Sequence, residues 1–282
     1  MQLRKKLGWR ELWLATIVLV VAGYAYNTGH TQQTEARRVT QGTDNEYSLG
    51  GVLFHQTAAE YRALSYQAYN LARLRLDLDL QQNKRNRTSR AVIVDADETV
   101  IDNSPYQATL AKNHTAYAAD TWHDWCVKAE AKPLPGAVEF LQYAHRKGVH
   151  VFYVTNRRVQ EKDCTAENLR KMGFPDVSDE TLLIRTDTTT SSKEARRQTI
   201  AQKHRIVLLI GDNLNDLAQV FERKPVAERK AAVDAVQAEF GARFIVLPNA
   251  MYGDWESALY GYQNGLSEAD KRLLRTNALQ GY

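Results

Sequence analysis

Two aspartates one residue apart, Asp95 and Asp97, stand at the end of the apolar run Ala91-Val92-Ile93-Val94. Carboxylates this close cannot both stay ionised cheaply unless a cation or a proton lies between them. Mg²⁺ is the natural cation for an oxygen-only site that also receives phosphate. A second acidic pair, Asp212 and Asp216, follows the apolar run 206–210 across Gly211, four residues apart where a helix begins. Asp212 thereby joins Asp95 and Asp97 as a third candidate ligand.

The elements that must position these acids read as an alternating α/β chain. A short run rich in β-branched residues is a buried strand, and in open α/β sheets ligands bind beyond the carboxyl ends of the strands. Strands are expected at 91–94, 149–154, 181–185, 206–210 and 243–247, with helices over 104–120, 135–147, 161–172, 193–204 and 228–240. Gly148 and Gly173 supply the stops of two of them. That alternation calls for a doubly wound sheet with helices on both faces. Before it, residues 57–77 space Tyr61, Leu64, Ala68, Leu71 and Leu74 as an amphipathic helix, while 74–80 alternate like a strand, so the helix exit stays open.

The stretch Asp95-Ala96-Asp97-Glu98-Thr99, followed by Asp102-Asn103, resembles the first signature of the haloacid dehalogenase superfamily. More narrowly it resembles the bacterial class C acid phosphatases, also described as the 5'-nucleotidase lipoprotein family. The strand ending in Thr155-Asn156-Arg157-Arg158 matches a second signature, and Gly211 to Asp216 another. The resemblance spans about residues 57–260. It implies a haloacid dehalogenase-like phosphatase core over 91–247 under a mostly helical cap made from 57–90, an insert near 106–134 and the tail 248–282.

The same resemblance implies that Asp95 attacks phosphorus and that Asp97 serves as general acid and then base. It assigns Mg²⁺ to Asp95, the backbone carbonyl of Asp97 and Asp212, with Asp216 a ligand, holding a bound water, or pairing with Lys193. Thr155, Asn156 and Lys193 would bind phosphate, helped by amides at the start of the next helix. Trp122, Trp125 and Tyr252 either stack on a nucleobase, at ~1–3 kcal/mol per base, or pack the cap. Two departures, Ala96 for a larger aliphatic residue and Leu217 for an aromatic one, touch none of the acids. The implied substrates are small phosphate esters, foremost nucleoside 5'-monophosphates. A broad-specificity phosphatase and a non-catalytic phosphate-ligand binding protein are the rival readings.

The net charge of +4 does not mark a nucleic-acid-binding surface, because the first thirty residues hold four cations against one acid and account for +3 of it. Those residues lead from Arg4, Lys5, Lys6 and Arg10 into an apolar run at 12–22, with Gly23 and Ala25 beyond, the layout of a secretory signal cut after Ala25. A retained membrane anchor is the alternative; both place the chain in the periplasm or at the cell surface. With no cysteine there, the lipid anchor common among the relatives cannot form. Residues 31–56 read as a flexible lead-out. Partners reduce to small phosphate esters, with the membrane reached only through the leader and a homodimer left open. The two cysteines, Cys126 and Cys164, are a disulfide or two separate thiols.

Overall fold

The computed structural model describes residues 45–86 and 88–282. The leader, its cut after Ala25 and the first part of the lead-out lie outside the described residues. Five parallel strands build the central sheet: β1 (Arg90–Val94), β4 (His150–Arg158), β5 (Leu182–Arg185), β6 (Arg205–Gly211) and β7 (Phe244–Val246). Their spatial order is β5-β4-β1-β6-β7. From β1 the chain works outward through β4 and β5, then returns to the other flank for β6 and β7. The order therefore reverses between β1 and β6, the crevice in which open α/β sheets bind ligands. Asp95 and Asp212, the first residues past those two strands, flank that crevice.

Strand alternation divides the core into two layers. Val92 and Val94 of β1 face a layer formed by α2 (Ala59–Gln82), α5 (Ala137–Arg146) and α6 (Lys162–Lys171). Ala91 and Ile93 face the opposite layer with α7 (Glu194–Ala201), α9 (Val226–Ala235) and Phe221. A separate antiparallel ribbon, β2 (Ile101–Asp102) with β3 (Lys132–Pro133), closes the root of the insert that carries α3 (Ser104–Asn113) and α4 (Ala119–Lys128). The short α8 (Leu214–Leu217) follows β6, and α10 (Asp254–Leu259) and α11 (Glu268–Ala278) end the chain.

Several boundaries differ from the sequence expectation. Part of the supposed lead-out is helix α1 (Asn45–Thr57). Its Gly50-Gly51 pair hides it from propensity, but Gly51 lets it lie so close to the 250 loop that a Cβ would fall 2.4 Å from the Ala250 carbonyl oxygen. Helix α2 runs straight through the alternating 74–80 stretch. Leucines are strong helix formers and no β-branched residue is present, while Leu76 is fully buried and Asp79 pairs with Arg90 at 2.8 Å. The single helix expected over 104–120 splits at His114, which is left-handed at φ 53°. Strand β4 continues to Arg158 rather than ending before Thr155, so no helix start lies there to lend amides. The helix expected to reach Phe240 ends at Ala235 and gives way to a 3₁₀ turn.

Cys126 of α4 and Cys164 of α6 form a disulfide, with sulfurs 2.01 Å apart, which settles the open pairing. It fastens the insert to the core across 38 residues of chain. Closing a loop of that size stabilises by about 4 kcal/mol in the chain-entropy account. A Cys126→Ser/Cys164→Ser variant is expected to melt roughly 8–15 °C lower by calorimetry. An unchanged Tm would mean that the link constrains nothing. Among the described residues no helix is long and apolar enough to cross a membrane.

Candidate active site

Asp95 leaves β1 with its amide donating to the Ile210 carbonyl of β6 at 3.0 Å, which fixes it at the switch point. Lys193, just before α7, donates from its ammonium to Asp95 Oδ1 and, at 2.7 Å, to Asp216 Oδ1. All three side chains are buried. Asp216 returns beneath the sheet edge because Gly211 has no side chain: a Cβ there would lie 2.5 Å from Asp216. What Gly211 supplies is room for the Asp216 carboxylate. Asp212 is held from both sides, Oδ1 accepting from the Thr99 hydroxyl (3.1 Å) and Oδ2 from the Asn249 amide (2.8 Å). Arg229 of α9 pins the loop between the two acids, donating to Asn213 Oδ1 and Asn215 Oδ1 at 3.0 Å each.

Asp97 is gripped by a guanidinium. Arg157 Nη2 donates to its Oδ1 at 2.7 Å and Nε to both oxygens at 3.1 and 3.2 Å, while Asn103 Nδ2 adds a bond of 2.8 Å. Arg157 is itself held by Thr165 Oγ1 (3.0 Å) and packs on the Trp122 ring, 4.9 Å from its centroid. Burial opposes its charge most strongly, yet Asp97, Glu98 and Glu161 together outweigh it and raise the Arg157 pKa further. Arg157 and Asn103 stand within the sequence motifs, but the motifs alone give neither a role. The signal was present: Arg157 lies two residues beyond Thr155 in one strand, hence on the same face.

The other expected residues divide. Thr155 is fully buried and accepts the Arg157 amide at 3.2 Å, which leaves its own O–H to donate. Asn156 reaches the cavity wall, but its carboxamide is engaged by the Ser191 carbonyl (2.8 Å) and Arg196 (2.6 Å), tying β4 to the Lys193 loop. Trp122 and Tyr252 line the cavity; Trp122 also packs edge-on against Tyr106, 5.1 Å between centroids. Trp125 takes the packing alternative. Its indole N–H donates to Asn103 Oδ1 at 2.8 Å and its ring packs against the core, so it braces the Asp97 support away from the cavity wall.

The cavity measures about 460 Å³ and runs from Asp212, Asn213 and Tyr252, past Asp95 and Lys193, to Tyr117, Arg158 and Arg185. A model of the family described as HAD superfamily, subfamily IIIB (acid phosphatase), matches residues 25–255. The chain belongs to that family. The structure is similar to the class C acid phosphatase from Bacillus anthracis, with 42% identity and a TM-score of 0.80 over 84% of this chain and 98% of that one. The same enzyme with tungstate bound matches equally well. Among curated sequences, acid phosphatase 1 of Solanum lycopersicum is 29% identical over 44% of this chain, and a stem 28 kDa glycoprotein of Glycine max 24% identical over 57%. The chain spans about half the length of the tomato protein and 62% of the soybean one.

The acids of this subfamily IIIB chain fit a divalent cation. Carboxylate oxygens of Asp95, Asp212 and Asp216 converge within 4.8 Å of one another, an all-oxygen set suited to a hard ion. Among the described residues the ammonium of Lys193 pairs with two of them, Asp95 and Asp216. Burial pushes the Asp95 carboxyl up to about 7 against the pull of Lys193, with Asp216 and Asp97 adding to the rise. Burial, Asp216 and Asp95 likewise carry Asp212 well above the usual carboxylate range. Glu98, left-handed at φ 52°, is fully buried and accepts the Asn103 amide at 2.8 Å; burial, then Asp97 and Asp212, push its carboxyl well above the usual range.

These shifts have a sign. Between about pH 4 and 7 the metal-free folded protein holds a proton on Asp95 that the unfolded chain has released, so stability falls as pH rises through that window. Divalent metal is therefore expected to raise the Tm more at pH 7.5 than at pH 5, where its ligands must first lose protons. Thermal melts with and without chelator at the two pH values read this directly. Equal metal shifts would contradict the assignment of these acids as ligands.

Proposed function

We propose that the protein is an exported, Mg²⁺-dependent phosphomonoesterase that acts on small phosphate esters, foremost nucleoside 5'-monophosphates, through an aspartyl phosphate. The observation that carries this is the buried Asp95–Lys193–Asp216 chain beside Asp212, with Asp97 held separately two residues away. Asp95, the Asp97 carbonyl and Asp212 would hold the ion, which supplies charge neutralisation on the transferring phosphoryl group and shields the crowded carboxylates. Tungstate, bound by the Bacillus anthracis enzyme, is a tetrahedral oxyanion like phosphate, which supports a phosphoryl-sized site here.

The residues divide the chemistry. Lys193 takes up Asp95 Oδ1, whereas Oδ2 accepts no hydrogen bond among the described residues, making it the attacking oxygen. Its lone pair forms a bond to phosphorus as the ester P–O bond breaks, and the departing oxygen takes a proton from Asp97. Asp97 then removes a proton from water, whose oxygen attacks phosphorus. The Asp95–phosphorus bond breaks and inorganic phosphate leaves. Arg157 and Asn103 orient Asp97 for both transfers, and the Thr155 hydroxyl and Lys193 donate to the phosphoryl oxygens. Trp122 and Tyr252 give the cavity aromatic walls against which a base can stack.

The test is phosphate release from a panel of nucleoside 5'-monophosphates and a plain aryl phosphate, with Mg²⁺ and with chelator. Metal-dependent release that is faster for nucleotides supports the whole reading. Equal rates on every ester keep the mechanism and remove the nucleotide preference. No release from folded, metal-loaded protein would leave phosphate-ligand binding as the better account.

A further inference from the structure

The end of the cavity farthest from Asp212 is built of arginine. Strands β4 and β5 place Arg158 and Arg185 directly opposite each other, and both line the cavity. Like charges in that position repel across a sheet and are destabilising unless something neutralises them. Arg158 is neutralised from within: buried Glu161 accepts its Nε at 3.0 Å and its Nη2 at 2.5 Å. Arg185 is different. Among the described residues, no acceptor lies within hydrogen-bond or ion-pair reach of its guanidinium. The nearest acid in sequence, Asp187, feels the charge of Arg185 but does not pair with it; its Oδ1 accepts the Thr189 amide (2.7 Å) and hydroxyl (2.6 Å).

We propose that Arg185 forms a second anion subsite, so that the favoured substrates carry a further phosphate remote from the one hydrolysed. This rests on the phosphomonoesterase reading above. A planar guanidinium binds phosphate in a bidentate fashion, and such charge-assisted pairs are the strong ones. The cavity is far larger than one phosphate requires and falls in the range of whole small-molecule sites. The rings of Tyr117 and Trp122, 6.3 Å apart, also line it, with Tyr117 more than half exposed. That set of surfaces, metal-binding acids, aromatic rings and an arginine without an ion-pair partner, matches a nucleoside bearing phosphates at two positions of its ribose.

The experiment compares kcat/KM for adenosine 3',5'-bisphosphate against 5'-AMP, and for fructose 1,6-bisphosphate against fructose 6-phosphate, in the Mg²⁺-loaded protein and in Arg185→Gln and Arg185→Lys. The first ratio is expected to be roughly tenfold or more, carried by KM, to fall near one in Arg185→Gln and to be partly kept in Arg185→Lys. Because each ratio is taken within one protein, a partly folded variant does not distort it. A preference in the sugar pair as well supports recognition by the anion alone; a preference confined to the nucleoside pair supports recognition that also needs the aromatic wall. A wild-type ratio near one, or one untouched by Arg185→Gln, overturns the subsite. If neither monophosphate is hydrolysed, the phosphomonoesterase reading fails by itself. Equilibrium dialysis of 5'-AMP and the adenosine bisphosphate then reads the subsite without turnover, and equal affinities overturn it.

Discussion

Asp95→Asn is expected to lower phosphate release by on the order of 10⁵-fold or more, the scale on which covalent catalysis collapses when its nucleophile is removed. Asparagine keeps the shape and one acceptor for Lys193, so the loss is chemical. Folding supplies the control with an opposite sign. The Asp95 carboxyl, raised to about 7 by burial, costs stability when it ionises, and asparagine carries no such charge. The metal-free variant should therefore melt no lower than wild type at pH 7.5. Kinetics on a 5'-nucleotide, paired with melting curves, check both halves. Near-normal turnover in a folded variant would remove Asp95 as nucleophile.

The second large effect falls on Asp97. Its replacement by asparagine removes the proton donor for the departing oxygen and the base for water, each worth roughly 10²–10⁴-fold. The two steps respond unequally. An aryl phosphate with a good leaving group needs little protonation, so phosphorylation of Asp95 should persist while its hydrolysis stalls. The expected record is a burst of about one phenol per enzyme followed by very slow turnover. A uniform slowing across good and poor leaving groups, with no burst, would count against a proton-transfer role. Arg157 loses its carboxylate partner in this variant, so its Tm is expected to fall and rates must be referred to folded protein.

The acids were legible because chemistry of this kind is written locally. Asp95 and Asp97 sit one residue apart after a β-branched run, and Asp212 and Asp216 four apart after another, so strand ends and spacing announce them. The sheet followed from the same runs. Arg157 was less legible, since an arginine beside a threonine says nothing until β4 is seen to continue through both. Trp125 could be read either way, stacking or packing. A tryptophan three residues from Trp122 suggests a shared role, yet its N–H found Asn103 and made it a brace. Helix α1 went unseen because a glycine pair lowers propensity, and only the close approach to the 250 loop explains why glycine is there. The pairing of Cys126 with Cys164 depends on α4 folding against α6, which no spacing rule encodes.

The most direct test of the central claim is to quench Asp97→Asn, loaded with Mg²⁺, seconds after mixing with an aryl phosphate, digest it and locate the phosphoryl group by mass spectrometry. The account predicts one phosphoryl group on the peptide that contains Asp95, absent when chelator is present and absent from the Asp95→Asn/Asp97→Asn double variant. Phenol released in step with free phosphate, with no phosphoryl group on that peptide at any time, would contradict an aspartyl phosphate and point to direct attack by water.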